Sequence, residues 1–219
     1  MSDFSFDLSR ARIFVIVGRC GSGKSVAMKS ILKHCCENNL FSFGRVYTST
    51  KQMNTDWSSI IPDKHVFDNY SDSHLKSYIN KLKEWKVTQK KDLPSSFLIF
   101  DDLLSVMNIH SPLLKWFFSV HRHWNITIFL SSQHLVSNIS TMLRTLVDGA
   151  IIFKNNFKRD RKQLCSAFGQ LLEDERDFLK MLDGLGPYEA VLYNSHASTP
   201  EEAYTTFKAD LPKPFKLDF

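Results

Sequence analysis

Apolar residues in this chain fall into short unbroken runs, separated by stretches in which they recur every three or four positions. That alternation predicts buried strands interleaved with amphipathic helices. The runs at 11–17, 44–49, 96–100, 126–130, 150–153 and 188–193 are too short for helices. Several lack the polar alternation of a half-exposed strand, so they read as strands covered on both faces. Helical spacing follows the first run, where Val26, Ile31, Leu32 and Cys35 share a face over about 25–40. It returns from Asp72, through Leu75, Tyr78, Ile79 and Leu82. Ser111-Pro112 supplies a cap and a first-turn proline for another helix, and two short helices are expected around Arg161 and Asp177. Residues 51–70 read as loop with a short extended piece at His65, Val66 and Phe67. Strand and helix in this order predict an α/β fold: a parallel sheet covered by helices on both faces.

Length and charge narrow the picture. A chain of 219 residues can bury a full core as one domain, here 1–219, with a core over about 10–155 and an extension over about 156–219. The formal charge of +5 is compatible with a polyanionic partner. Basic residues gather in two places: Lys76, Lys81, Lys83, Lys86, Lys90 and Lys91 along the second helix, and Lys154, Lys158, Arg159, Arg161 and Lys162 after the core. The first reads mainly as a solvated face, with nucleic-acid contact the lesser reading, and the second equally as a solvated helix start or as a surface for DNA. The first seven residues carry acids and no continuous apolar stretch, so neither a signal peptide nor an amphipathic, acid-poor transit sequence is expected there, and an intracellular protein is. Cys20, Cys35, Cys36 and Cys165 form no Cys-x-x-Cys pair, which favours reduced thiols. His121 and His123 lack an evident third ligand for a metal.

Candidate chemistry lies at the ends of the apolar runs. The first run feeds directly into Gly18-Arg19-Cys20-Gly21-Ser22-Gly23-Lys24-Ser25, a Gly-x-x-x-x-Gly-Lys-Ser loop that cradles phosphates with backbone N–H groups. Residues Gly18 to Val26 are therefore the expected nucleotide contacts. Lys24 reaches the β- and γ-phosphates, and Ser25 offers a hydroxyl to Mg²⁺ at a helix start whose dipole favours anions. The third run ends Phe100-Asp101-Asp102 and resembles a Walker B strand: Asp101 is expected to hold Mg²⁺ with Ser25, and Asp102 to orient or deprotonate the attacking water. The fourth ends Ser131-Ser132-Gln133, where the Gln133 amide suits a γ-phosphate sensor. Arg144 follows as a candidate to neutralise charge on the transferred phosphoryl group from a neighbouring subunit. The bland readings are a turn-capping Asp102, a solvent-facing Gln133 and an ordinary helix arginine.

Together the loop, the Leu-Ile-Phe-Asp-Asp strand, the Ser-Ser-Gln strand end, Ile139, Leu143, Arg144 and the 148–153 segment resemble the viral branch of the FtsK/HerA superfamily, the genome-packaging ATPases of large double-stranded DNA viruses and virophages. The resemblance covers about 12–154. It implies a three-layer αβα P-loop NTPase with a RecA-like core, ATP and Mg²⁺ as substrate and cofactor, and a homo-oligomeric ring, pentameric or hexameric. It further implies translocation of double-stranded DNA into a preformed capsid, contact with capsid vertex proteins, and location in the host cytoplasm or viral factory. Many members carry Glu where this chain has Asp102. Another DNA-dependent ATPase or helicase-like motor, or a P-loop nucleoside or nucleotide kinase, remains as an alternative. A GTPase is disfavoured by the lack of an Asn-Lys-x-Asp segment, and a cassette transporter by the lack of Leu-Ser-Gly-Gly.

Overall fold

The computed structural model describes residues 8–49, 57–89, 92–103, 107–108, 111–134, 141–210 and 213–217. The amino-terminal segment, Lys90, Lys91 and Ile139 lie outside the described residues. Eight strands form one sheet: β1 (Ile13–Val17), β2 (Phe43–Thr48), β3 (Val66–Phe67), β4 (Ser96–Asp101), β5 (Ile126–Ser132), β6 (Gly149–Phe153), β7 (Glu189–Asn194) and β8 (Tyr204–Lys208). Their order is β3-β2-β4-β5-β1-β6-β7-β8. The described helices are α1 (Lys24–Glu37), α2 (Asp72–Gln89), α3 (Pro112–Val120), α4 (Thr141–Leu146), α5 (Lys158–Phe168), α6 (Glu175–Gly184) and the single turn α7 (Pro200–Ala203).

The continuous apolar runs are explained by two cores, one on each face of the sheet. Ile13, Val15 and Val17 of β1 pack with Leu98, Phe100, Ile128 and Leu130 beneath α2, α3, α5 and α6. Phe14 and Ile16, pointing the other way, join Phe97, Ile99, Phe129 and Ile151 beneath α1 and the turn at Trp57, Ile60 and Ile61. Phe14 and Phe129 stack across β1 and β5 with ring centroids 5.4 Å apart. A strand buried on both sides has no polar positions to alternate with. Ser111 caps α3 as its sequence suggests, its Oγ accepting from the Leu114 N–H at 3.1 Å.

The sheet is mostly parallel, as expected, with one antiparallel edge. β1 to β6 pair in parallel, whereas β7 runs antiparallel to β6 and β8 antiparallel to β7. The cause is the crossover. Two helices, α5 and α6, separate β6 from β7; one carries the chain away from the end where β6 finishes and the other brings it back, so β7 starts at that end and must run the opposite way. Strand β8 and α7 were not foreseen: of Tyr204 to Lys208 only Phe207 is fully buried, which leaves little periodic signal. The extended piece at 65–67 resolves into a 3₁₀ turn, Asp63–His65, followed by β3 beside β2.

Candidate active site at the ends of the central strands

The phosphate loop leaves the carboxyl end of β1, in the middle of the sheet, and enters α1 at Lys24. Gly23 occupies the cap position with φ +109°, and a Cβ there would approach Tyr188 Cδ1 to 2.9 Å, so both backbone and space demand glycine. Gly18 is equally confined, since a Cβ would meet Ser22 Oγ and lie 2.8 Å from Phe153 Cβ. Gly23 offers no side-chain cap to the first turn of α1, leaving those N–H groups directed toward an incoming anion. The Lys24 ammonium lies folded into the loop, donating to the Gly18 carbonyl at 2.9 Å and the Arg19 carbonyl at 3.2 Å. Phosphate oxygens are stronger acceptors than these neutral carbonyls, and would draw the same cation outward.

Asp101 and Asp102 emerge from β4 two strands away, with β5 between β4 and β1. Asp101 is 6% exposed and heavily hydrogen-bonded. Its Oδ1 accepts from Ser131 Oγ at 2.7 Å; its Oδ2 accepts from Trp57 Nε1 at 2.8 Å and from Ser25 Oγ at 3.4 Å. Burial pushes this carboxyl above the usual carboxylate range; the Ser131 and Trp57 bonds oppose that shift, neighbouring Asp102 adds to it, and Lys24 counters it. A hydroxyl and a carboxylate oxygen converging in this way form the hard oxygen donor set that suits Mg²⁺, so Ser25 and Asp101 fit the ion.

Asp102 turns the chain out of the sheet in the left-handed region, at φ +52°. Short Asp tolerates that conformation better than Glu, which gives a physical reason for the missing methylene at this position. Its backbone N–H donates to Ser131 Oγ at 2.9 Å, so one hydroxyl ties both acids. Its Oδ2 lies 3.7 Å from Lys24 Nζ and 3.5 Å from Gln133 Nε2, which brings loop, acid and amide together. No hydrogen bond or ion pair among the described residues joins Arg144 to this group: it sits on α4, packed chiefly against α3, and its buried Nε has no hydrogen-bond partner among the described residues.

Several surrounding residues were not anticipated. Trp57 came from a stretch with no periodic pattern, and Ser131 gave no sign that it would bridge two acids. Beside the outer wall of the loop lies a cavity of about 660 Å³, walled by Arg19 and Cys20 on one side and by Phe153, Asn156, Pro187 and Tyr188 on the other. That is room for a nucleoside. The Arg19 guanidinium rests 5.0 Å from the Phe157 ring centroid at its margin. The basic stretch after the core is partly spent: Arg161 makes two bonds to Asp183, at 2.6 and 2.9 Å, and Lys154 donates to the Asp183 and Leu185 carbonyls. Lys158, Arg159 and Lys162 stay exposed, as do Lys76, Lys81, Lys83 and Lys86 on α2. His121 is a core residue, its Nδ1 donating to the Ile126 carbonyl at 2.8 Å, and burial lowers its pKa.

A phosphate loop after a central strand, an acid pair two strands away, and an intervening strand ending in a polar amide define a P-loop nucleoside triphosphatase of the extra-strand, extra-acid class. The chain belongs to the family described as Poxvirus A32 protein, matching it over residues 2–166. It is 27% identical over 194 residues to uncharacterized protein 075L of Invertebrate iridescent virus 6, covering 87% of this chain and 73% of that one. Among solved structures it resembles the genome packaging NTPase B204 of Sulfolobus turreted icosahedral virus 2 in complex with ATP-γS, at TM-score 0.65 and 16% identity, covering 93% of this chain and 98% of that one. It also resembles the cytoplasmic domain of the type VII secretion ATPase EccC of Thermomonospora curvata, at TM-score 0.63 and 16% identity, covering 91% of this chain and 25% of that one. No helix among the described residues is long and apolar enough to cross a membrane.

Proposed function

We propose that this protein is an ATP-hydrolysing motor that moves double-stranded viral DNA into a preformed capsid. The observation that carries the reading is Asp102, held between Lys24 and Gln133 at the mouth of the phosphate loop. In the proposed mechanism the loop residues Gly18, Arg19, Cys20, Gly21, Ser22, Gly23 and Val26 enclose the ATP phosphates, and Lys24 moves from its carbonyl contacts to the β- and γ-oxygens. Ser25 and Asp101 would hold Mg²⁺, which when bound would supply charge neutralisation on the transferred phosphoryl group. Asp102 orients the lytic water and accepts its proton, and Gln133, bonded to Asp102, reports whether a γ-phosphate is present. The cavity beside Phe153 and Tyr188 receives the nucleoside. Family membership and the likeness to a virus packaging NTPase support DNA as the track; a homo-oligomeric ring, capsid vertex contacts and a place in the cytoplasm or viral factory of an infected cell complete the reading.

The test is ATP hydrolysis with and without random-sequence duplex DNA, beside an assay for phosphoryl transfer to nucleosides and nucleotides. Stimulation by duplex that weakens from about 50 to 200 mM salt is expected, because backbone contacts release counterions. Hydrolysis indifferent to DNA, together with transfer to an acceptor, overturns the motor and makes the chain a kinase.

A further inference from the structure

At the opposite end of the sheet from the phosphate loop, where β1, β5 and β6 begin and β7 ends, a second cavity of about 620 Å³ opens to solvent. Its fixed point is Asp148, which is 2% exposed. Asp148 Oδ2 accepts from the Ile13 N–H at 2.8 Å, and Oδ1 accepts from Arg122 Nη2 at 2.6 Å and His196 Nε2 at 2.7 Å. The main chain of Asp148 is held as firmly: its N–H donates to the Ile13 carbonyl at 2.9 Å, and its carbonyl accepts from Ser195 N–H and Oγ at 3.0 and 2.9 Å. A carboxylate supplied by three donors has little capacity left for a ligand. What it does is orient Arg122 and His196, both about half exposed, at the cavity wall.

Arg10 lines the same space, as does Arg12, which is engaged by interactions of its own; among the described lining residues Asp148 is the one carboxylate, and Arg10 and Arg122 together outweigh its charge. Arg122 spends one Nη on Asp148; its remaining N–H groups, and the whole Arg10 guanidinium, have no partner among the described residues. The excess charge calls for an anion. Guanidinium forks around one space suit a group that presents several oxygens in different directions, which a phosphate does better than a planar carboxylate. Among the described residues the lining includes no Phe, Tyr or Trp, and Ala11 is its apolar member, so these residues offer no platform on which a base would stack.

We propose that this cavity is a second contact for duplex DNA, gripping sugar-phosphate backbone at the end of the sheet remote from the nucleotide. The assignment to DNA rests on the motor reading above. Backbone-only contact suits a track of any sequence, since phosphate bonds position the duplex without reading it. The two sites stand at the two ends of β1, whose five residues separate them by about 16 Å at ~3.3 Å per residue.

The test compares the parent with the double variant Arg10→Gln, Arg12→Gln, reading anisotropy of a labelled random-sequence duplex across about 50 to 200 mM salt. Removing one cation from the DNA phosphates flattens the slope of log affinity against log salt by about 0.9, so a change of roughly one to two is expected, with affinity down about ten-fold or more at low salt. Arg10→Lys, Arg12→Lys keeps the charge and should restore most of the slope. Thermal unfolding of each variant establishes that the fold is intact. Equal slopes for parent and double Gln variant overturn the cavity's role alone; a parent that binds no duplex overturns the motor reading and this assignment with it. Displacement of duplex by millimolar inorganic phosphate at matched ionic strength, or loss in the variant of poly-glutamate binding but not duplex binding, reassigns the cavity to a small anion or an acidic protein and overturns the DNA contact.

Discussion

In the proposed mechanism phosphate binding and water activation fall to different side chains, and single substitutions should separate them. Lys24→Ala removes the cation proposed to meet the β- and γ-phosphates, so nucleotide affinity and turnover should both collapse, as read by equilibrium binding and phosphate release. Asp102→Asn keeps size and left-handed tolerance but loses the proposed base; binding should persist while hydrolysis falls by about 10² to 10⁴. Hydrolysis by Asp102→Asn at the parent rate would return that residue to the role of a turn cap. Trp57 is the residue whose importance came from the structure. Trp57→Phe keeps the buried ring but withdraws the donor from Asp101 Oδ2, leaving a buried carboxylate with one fewer bond. Urea unfolding should show a loss of about 1 to 3 kcal/mol. Asp101, Asp102 and Gln133 were recognisable from strand ends alone; Trp57 and Ser131 were not, because their partners lie 44 and 30 residues away in the chain.

At the scale of elements, the segment after β6 divides into cations that clasp and cations that are free to meet solvent. Arg161 on α5 pairs with Asp183 on α6, which fixes the helix pair that reverses the chain before β7. Arg159, two residues earlier, is exposed. Arg159→Ala should therefore reduce DNA-stimulated hydrolysis and leave the melting temperature alone, whereas Arg161→Ala should do the reverse. The stability loss from Arg161→Ala should be small, about 1 kcal/mol or less, since the pair is partly exposed. Equal loss of stimulation in both variants would show that the clasp, too, faces DNA. Composition placed five cations in this stretch without distinguishing them, because pairing depends on which helix face meets α6.

For the whole molecule, the position of Arg144 bears on assembly. Among the described residues no hydrogen bond or ion pair joins it to Lys24, Asp101, Asp102 or Gln133 of its own chain, and the proposed ring would let it serve the site of a neighbouring copy. Mixing Arg144→Ala with Lys24→Ala subunits should restore some hydrolysis, because a boundary between them can join one intact loop to one intact arginine. No recovery in verified mixed assemblies at any ratio would exclude the role in trans. The sequence by itself determined the class of fold, through apolar runs that only a doubly covered sheet explains, and the identity of the phosphate loop, the acid pair and the polar strand end. These signals are local: each is written within about ten consecutive residues, where spacing sets geometry. Tertiary structure alone decided that β5 lies between the loop strand and the acid strand, that β7 and β8 run antiparallel, that Trp57 and Ser131 clamp the acids, and that Asp148 gathers Arg122 and His196 at the far end. Those depend on strand order and direction, which are set by how whole elements pack, and the spacing of apolar residues within one element carries no record of its neighbour.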